Sequence, residues 1–311
     1  MILSLPAFKA VRERFPAAKI TAMIGKSGAE IIELCAFADE KIVVDRVKLR
    51  DGKKSESIKE ILEITRNVRR RKFDFVVDLH SLYETNLLGF FSGAKQRLYA
   101  NRENRSLDFL ANFTPRPPLE DKKIHLTDHY LNLLKPLNIE NAPRFARLEP
   151  RAADLKKIEV LFSEYGEKKL AGLFPGAGNI SRRWKLEKFA ELAGKLATDD
   201  ALQPLVFLGP EEANLREAIE REFPKKAKIV DQLSLLEFVA ALSKLAVLVS
   251  NDTGAIHLAA LVGTPVVLVM DERAPTTYLP LAEKISIVNN VPLNQISVSE
   301  VLEATEKFTD K

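Results

Sequence analysis

The sequence predicts an α/β protein made of two doubly wound domains in tandem. Three observations carry this expectation. Short apolar runs alternate with amphipathic helical segments along most of the chain, the signature of parallel sheets covered on both faces. The 311 residues suit about two domains at roughly 100–200 residues each. Between Asn101 and Pro150 the rhythm loosens, punctuated by Pro115, Pro117, Pro118, Pro136, Pro143 and Pro150 around one helix, Asp128–Leu134. A linker over Asn138–Pro150 then separates domains 1–145 and 146–311.

In the first half, Ala7, Phe8, Val11 and Phe15 recur at helical spacing over Pro6–Phe15. Lys19–Ile24 reads as a strand closed by Gly25, Ala29–Phe37 as a helix and Lys41–Asp45 as a short strand. Ser57–Arg70 is a strongly amphipathic helix, and Phe73–Leu79 a mostly apolar strand. Glu84–Phe91 follows as a helix, with Ser81 in position to cap it.

The second half keeps the rhythm more cleanly. Strands are expected at Lys169–Phe174, Pro204–Leu208, Lys228–Val230, Leu245–Ser250 and Pro265–Met270. Helices fall between them at Leu186–Leu196, at the acidic-started Glu211–Arg221, and after the capping box Ser234-Leu-Leu-Glu237. Ala255–Val262 is a helix with Gly263 just past its end, and Ser299–Phe308 closes the chain.

Composition narrows the function classes. Hydrophobic residues at 46% and charged residues at 29% describe an ordinary globular protein that needs no covalent staples. The single cysteine, Cys35, excludes an internal disulfide and a Cys-based zinc cage, and the four histidines make no H-E-x-x-H motif. A net charge of +4, from 47 cations and 43 anions, suits an anionic substrate or a membrane surface without pointing to nucleic acid. The cationic run Arg66–Lys72 has no interleaved aromatics and reads as a solvated helix end. Leu258–Met270 falls short of the ~18 residues a membrane span needs. The cations Lys9, Arg12 and Arg14 follow the apolar start, the reverse of a secretory signal, so a reducing cytoplasm is expected. The first helix offers Leu3, Leu5 and Phe8 beside Lys9 and Arg12, either for membrane contact or for packing on its own sheet.

Candidate chemistry lies beyond the carboxyl ends of the strands, where helix N-termini supply free N–H groups. Pro175-Gly-Ala-Gly-Asn-Ile-Ser-Arg-Arg-Trp184 occupies one such turn: Gly176 and Gly178 let backbone approach a phosphate, and Ser181, Arg182 and Arg183 can bond it. The run is neither a dinucleotide fingerprint nor a Walker loop, and an ordinary Gly-rich turn with solvated arginines remains the alternative. Asn251-Asp-Thr-Gly-Ala-Ile-His257 opens the helix after a buried strand; Asp252 or Thr253 can simply cap it, and His257 can be a core histidine. In the first half, Asp78-Leu79-His80-Ser81 ends an apolar strand at the same edge. No D-x-D occurs, so a diphosphate would be neutralised by helix dipoles and Arg or Lys.

The pattern as a whole resembles the heptosyltransferases of glycosyltransferase family 9. The residues that carry it are Pro175-Gly-Ala…Ser181-Arg-Arg-Trp184…Glu187-Lys-Phe189, Leu208-Gly-Pro-Glu-Glu212, and Ser250-Asn-Asp-Thr-Gly-Ala-Ile-His-Leu-Ala-Ala260…Gly263-Thr-Pro-Val-Val267. Leu5-Pro-Ala-Phe-Lys-Ala-Val11…Arg14-Phe-Pro16 and Phe73-Asp-Phe-Val-Val-Asp-Leu-His80…Ser92-Gly-Ala-Lys95 extend it over nearly the whole chain. The resemblance implies two Rossmann-like domains facing across a cleft (GT-B type), the acceptor in the N-terminal one and the donor in the C-terminal one. It implies metal-independent, inverting transfer of heptose from ADP-heptose to the lipid-A–linked inner core of lipopolysaccharide, at the inner face of the inner membrane, with no cofactor. Gly176, Ser181 and Arg182 (where many members have Lys) would hold the donor diphosphate. Asp252, Thr253, Gly254 and His257 would line the diphosphate and sugar, Glu211 or Glu212 would meet the adenosine ribose, and His80 would face the acceptor. A catalytically inactive nucleotide-sugar-binding member of the same fold is the alternative.

Three departures from the family stand out. Lys185 replaces the usual Pro after the tryptophan, which removes a helix-start signal. Asp271-Glu-Arg273 stands where many members carry Gly-Pro-Thr, a difference that bears on donor specificity. Family members also begin with a strand and a Gly-Asp, the Asp being the expected general base. Aligned here, that Asp would precede Met1, so the first strand of the N-terminal domain is expected to be missing from this sequence and Met1 to be an internal methionine.

Overall fold

The structure, a computed structural model, describes Met1–Thr309 apart from the side chains of Ser27, Arg50 and Lys54. The chain divides into two compact units, Met1–Ala146 and Arg147–Lys311.

The first unit opens with α1 (Leu5–Arg14), which has Pro6 in its first turn and buries Leu5, Ala7 and Ala10. Leu5, Ala7 and Ala10 thus turn inward, with α1 against α5 (Leu126–Leu133), while Leu3 and Phe8 are half-buried. β1 (Thr21–Gly25) pairs in parallel with β2 (Glu40–Val44). α2 (Arg46–Asp51) follows, capped by Asp45, whose carboxylate accepts the Lys48 N–H at 3.0 Å. α3 (Lys54–Arg70) leads to β3 (Phe75–Asp78), which pairs in parallel with β4 (Gln96–Tyr99) through α4 (Tyr83–Phe91). No strand among the described residues joins the two pairs. The core of this unit is Ala7, Ala10, Leu98, Leu133, Leu134 and Leu137.

One local expectation fails here, and two elements go unforeseen. The helix over 29–37 shrinks to a 3-10 turn at Ile31–Leu34, because no side chain caps Glu30 and Cys35 already turns extended (φ −117°, ψ 126°). The strand β4 and the helix α2 escape the sequence pattern because each is too short to show a period.

The second unit runs α6 (Ala152–Phe162), β5 (Lys169–Phe174), α7 (Leu186–Ala197), β6 (Leu202–Phe207), α8 (Arg216–Glu222), β7 (Lys228–Val230), α9 (Leu235–Leu242), β8 (Val247–Asn251), α10 (Gly254–Val262), β9 (Val266–Asp271), β10 (Ile285–Asn290) and α11 (Val298–Thr309). α7 begins at Leu186 despite the missing Pro. The segment expected as one helix from Glu211 starts instead as a 3-10 turn, Pro210–Leu215, before α8. The Ser234–Glu237 capping box forms, with bonds of 3.3 and 2.9 Å. Gly263 ends α10 at φ +87°, a conformation that a side chain would strain.

The six strands form one parallel sheet in the order β10-β9-β8-β5-β6-β7. Counted from β5, and read from the β7 edge, this is the 3-2-1-4-5-6 order of the Rossmann fold. Apolar side chains on one face of the sheet pack against α7 and α11, where Trp184 meets Phe189 edge-on with centroids 5.0 Å apart.

Candidate functional site

In the second unit the strand order reverses between β5 and β8, so the segments leaving their carboxyl ends run to opposite faces and leave a crevice between them. Both motif-bearing turns of this unit lie there. Asn251, the last residue of β8 and fully buried, fixes one against the other. Its amide nitrogen donates to the carbonyls of Pro175 (2.8 Å) and Gly176 (3.3 Å), and its oxygen accepts the Trp184 N–H (2.9 Å). One side chain thereby ties both ends of the loop after β5 to β8. The Trp184 indole donates to the Ile296 carbonyl at 3.1 Å and anchors the loop's far end in the core.

Within the loop, Asn179 Oδ1 accepts from the backbone N–H (3.0 Å) and the hydroxyl (2.9 Å) of Ser181 and shapes the 3-10 turn Ile180–Arg182. Arg183 folds back onto the Ala177 carbonyl (2.8 Å). Arg182 points the other way, its guanidinium 3.1 Å from Asp252 on the turn after β8. Thr253 caps α10, accepting the Ala255 N–H at 3.2 Å. Gly254 follows, and a Cβ built there meets nothing within 4 Å, so the space beside the first turn of α10 is open. His257 lies half-buried three residues further along the same helix.

Glu211 and Glu212, alternatives in sequence, part company here. Glu211 is exposed, whereas Glu212 is 5% exposed and wedged between two glycines. Any side chain at Gly176 would collide with Glu212, and a Cβ on Gly209 would lie 2.8 Å from its carboxylate. Burial pushes the Glu212 carboxyl above the usual range, and the charge of Glu211 adds to this; Arg183 and the Gly209 backbone pull the other way. After β9, Arg273 grips Asp271 with two side-chain bonds (2.8 and 2.7 Å), which with a backbone bond hold that carboxyl down at about 2.

In the first unit, His80 sits on the turn from β3 into α4. Buried Asp78 shapes that turn, accepting the N–H groups of His80 (3.1 Å) and Ser81 (2.8 Å) and the amide of Asn86 (2.9 Å). Ser81 is not the helix cap: it takes a left-handed backbone (φ +46°), donates to the Asp78 carbonyl and accepts the Ala100 N–H at 2.7 Å. The cap position falls to Leu82, whose N–H is held by Thr85 (3.0 Å). Arg102 steadies the turn from outside, donating to the His80 carbonyl (2.9 Å) while its fork grips Glu120 with two bonds of 2.7 Å. Crowding around the His80 ring, and after it the charge of Arg46, lowers its pKa, so the neutral imidazole prevails at pH 7.

Sequence reasoning missed Arg102 and Glu120, which stand in the proline-rich stretch with no motif to mark them. It also passed over Asn251 as a mere turn residue, although an amide directly before the Asp-Thr-Gly run was the available signal. Among the described residues, no group of three or more His, Cys, Asp or Glu converges as a metal site. Among those same residues, no helix is long and apolar enough to cross a membrane.

The profile of glycosyltransferase family 9 (heptosyltransferase) matches residues 61–307. The chain is 25% identical over 240 residues to lipooligosaccharide heptosyltransferase 2 of Haemophilus influenzae, covering 74% of this chain and 69% of that protein. It is 20% identical over 274 residues to lipopolysaccharide heptosyltransferase 3 of Escherichia coli, covering 86% and 78%. Among solved structures, a family 9 glycosyl transferase from Veillonella parvula superposes with a TM-score of 0.85 at 21% identity, over 99% of this chain and 93% of that one. The E. coli ADP-heptose lipopolysaccharide heptosyltransferase II superposes at 0.80 and 19%, over 99% and 95%. The shared fold is of the GT-B type. With four-fifths of its length matched by that profile, the chain belongs to glycosyltransferase family 9.

Proposed function

We propose that this glycosyltransferase moves a heptose from ADP-heptose to a sugar of the lipopolysaccharide inner core, inverting the anomeric carbon and using no metal. The observation that supports this most is the meeting of Arg182 and Asp252 at the reversal of strand order, beside the open first turn of α10. As the glycosidic bond to the diphosphate breaks, negative charge grows on the leaving oxygens. The Arg182 guanidinium and the free N–H groups at the start of α10 would receive it, joined by the Ser181 hydroxyl once it turns away from Asn179. Asp252 holds Arg182 over the crevice before the donor arrives, which lowers the cost of ordering that side chain.

Glu212 takes the ribose hydroxyls as an acceptor of their protons' hydrogen bonds, with Gly176 and Gly209 leaving room for its carboxylate. His257, on the face of α10 nearest the diphosphate, meets the sugar side. His80, neutral and fixed on its turn, serves the acceptor in the other unit. The acceptor is lipid-A–linked, which places the enzyme in the cytoplasm at the inner face of the inner membrane.

Calorimetric titration with ADP-heptose in the presence of a chelator, with UDP-glucose as control, tests the donor assignment. Saturable heat for ADP-heptose alone is the expected result, and equal heat for UDP-glucose or none for either overturns it. Incubation with a lipid-A–linked core acceptor then separates an enzyme from an inactive binder: donor binding without transfer would establish the binder.

A further inference from the structure

We propose that the outward face of α3 and α4 in the first unit is a docking surface for an anionic phospholipid bilayer. A helix on a doubly wound sheet normally buries an apolar stripe and shows polar residues to water. α4 departs from this: Tyr83, Leu87, Phe90 and Phe91, spaced i, i+4, i+7 and i+8, are 40–48% exposed on its outer face. The 3-10 turn Asp108–Leu110 packs against α4 and adds Phe109, 73% exposed. α3 adjoins α4 and exposes Ile58, Ile61 and Leu62. An apolar surface of this extent marks an interaction site rather than scattered surface residues.

Charge identifies the occupant. Residues 46–72 carry eleven Lys or Arg against four Asp or Glu, a net +7, while the whole chain is only +4. The rest of the protein is therefore net acidic, and the positive excess is gathered on the segment beside the apolar face. Lys53, Lys59, Arg66, Arg69 and Arg70 are all exposed there, and the Arg97 guanidinium lies 5.4 Å over the Phe90 ring at the patch's edge. Aromatic rings flanked by cations suit the interfacial zone of a bilayer with anionic headgroups. A second copy of the chain fits poorly, since a symmetric contact would press two +7 segments together.

The inference deepens the acceptor side of the proposed function and rests on it only in explaining how a lipid-linked sugar is reached. Vesicle binding is measured without donor or acceptor, so its failure would leave the donor assignment standing. The test is flotation of the full chain with vesicles of phosphatidylcholine alone and of phosphatidylcholine mixed with phosphatidylglycerol. Binding is expected to the mixed vesicles only, and to weaken with added salt. Arg66→Gln with Arg69→Gln should lower the partition about fivefold for each charge removed. Phe90→Ser with Phe109→Ser should lower it roughly tenfold, with ADP-heptose titration and thermal unfolding confirming an intact fold. Absence of binding to either vesicle, or equal binding to both, overturns the proposal. So does a concentration-dependent dimer that Phe109→Ser dissolves while vesicles go unbound, which would give the face to a second copy.

Discussion

The guanidinium of Arg182 lies 3.1 Å from the carboxylate of Asp252, and the two belong to loops that leave neighbouring strands 70 residues apart in sequence. Both side chains are partly exposed, so the pair contributes little to folding, about 0.5 kcal/mol. The proposed donor site gives it a role in binding instead. Arg182→Ala is expected to weaken ADP-heptose binding by roughly 10–100-fold, the worth of one or two charge-assisted bonds to phosphate. The melting temperature should move by no more than about 2 °C. Calorimetry and thermal unfolding on the same preparation separate the two effects.

Asn251 presents the opposite case. Its buried amide makes three bonds that link β8 to both ends of the Gly-rich loop. Asn251→Ala strands the Trp184 N–H and should cost about 2–4 kcal/mol, read from denaturant unfolding. Thr253→Ala, which removes only the helix cap, should cost about 1 kcal/mol.

Glu212 predicts a pH dependence. Its folded pKa lies above the unfolded 4.5 because burial disfavours the charge. The folded state therefore holds the proton more tightly, and this contribution is fully present below pH 4.5 and lost as pH rises through the folded pKa. Glu212→Gln should raise the melting temperature at pH 7 relative to the parent, flatten its dependence between pH 4.5 and 7, and weaken donor binding. A melting temperature at pH 7 below the parent's would refute the assigned penalty.

Glu120 has the reverse sign. Burial pushes its carboxyl up, but the Arg102 fork more than offsets this, and the folded pKa falls below 4.5. Its stabilisation is thus present above pH 4.5 and lost as pH falls through the folded value. Glu120→Gln leaves Arg102 with one weak partner beside the His80 carbonyl and should cost about 2–3 kcal/mol at pH 7. The loss should shrink as pH falls below 4.5 toward the lowered folded value, where the parent carboxyl begins to protonate as well. Unfolding at pH 7 and at pH 3 checks both halves.

Much of the second unit is legible in the sequence because four of its strands, β5, β6, β8 and β9, are buried on both faces and read as mostly apolar runs, as from Val266 to Met270, whereas the half-exposed β10 gives no such run. Its capping box and Gly263 mark helix ends with single residues. The first unit is harder to read. Gln96–Tyr99 is four residues long and begins with Gln and Arg, which no periodicity can distinguish from a loop. At the site, glycines and charged residues announce the loop after β5, yet nothing local tells Glu211 from Glu212. Only the close approach of Gly176 and Gly209 decides which is buried. Arg102 and Glu120 are joined across 18 residues of irregular chain, a contact with no sequence period at all.

The strand order of the second unit also governs when its crevice can come into being. β5 pairs with β6 on one side early in the chain, but its other neighbour, β8, is synthesised only after β6, α8, β7 and α9. Until that long-range pairing closes, the Gly-rich loop has neither Asn251 to hold it nor Asp252 to orient Arg182. Such non-local closure is entropically costly and comes late in assembly. A ligand bound across β5 and β8 therefore favours only the completed sheet, so ADP-heptose would act as a selective stabiliser of the finished fold over any partly assembled one.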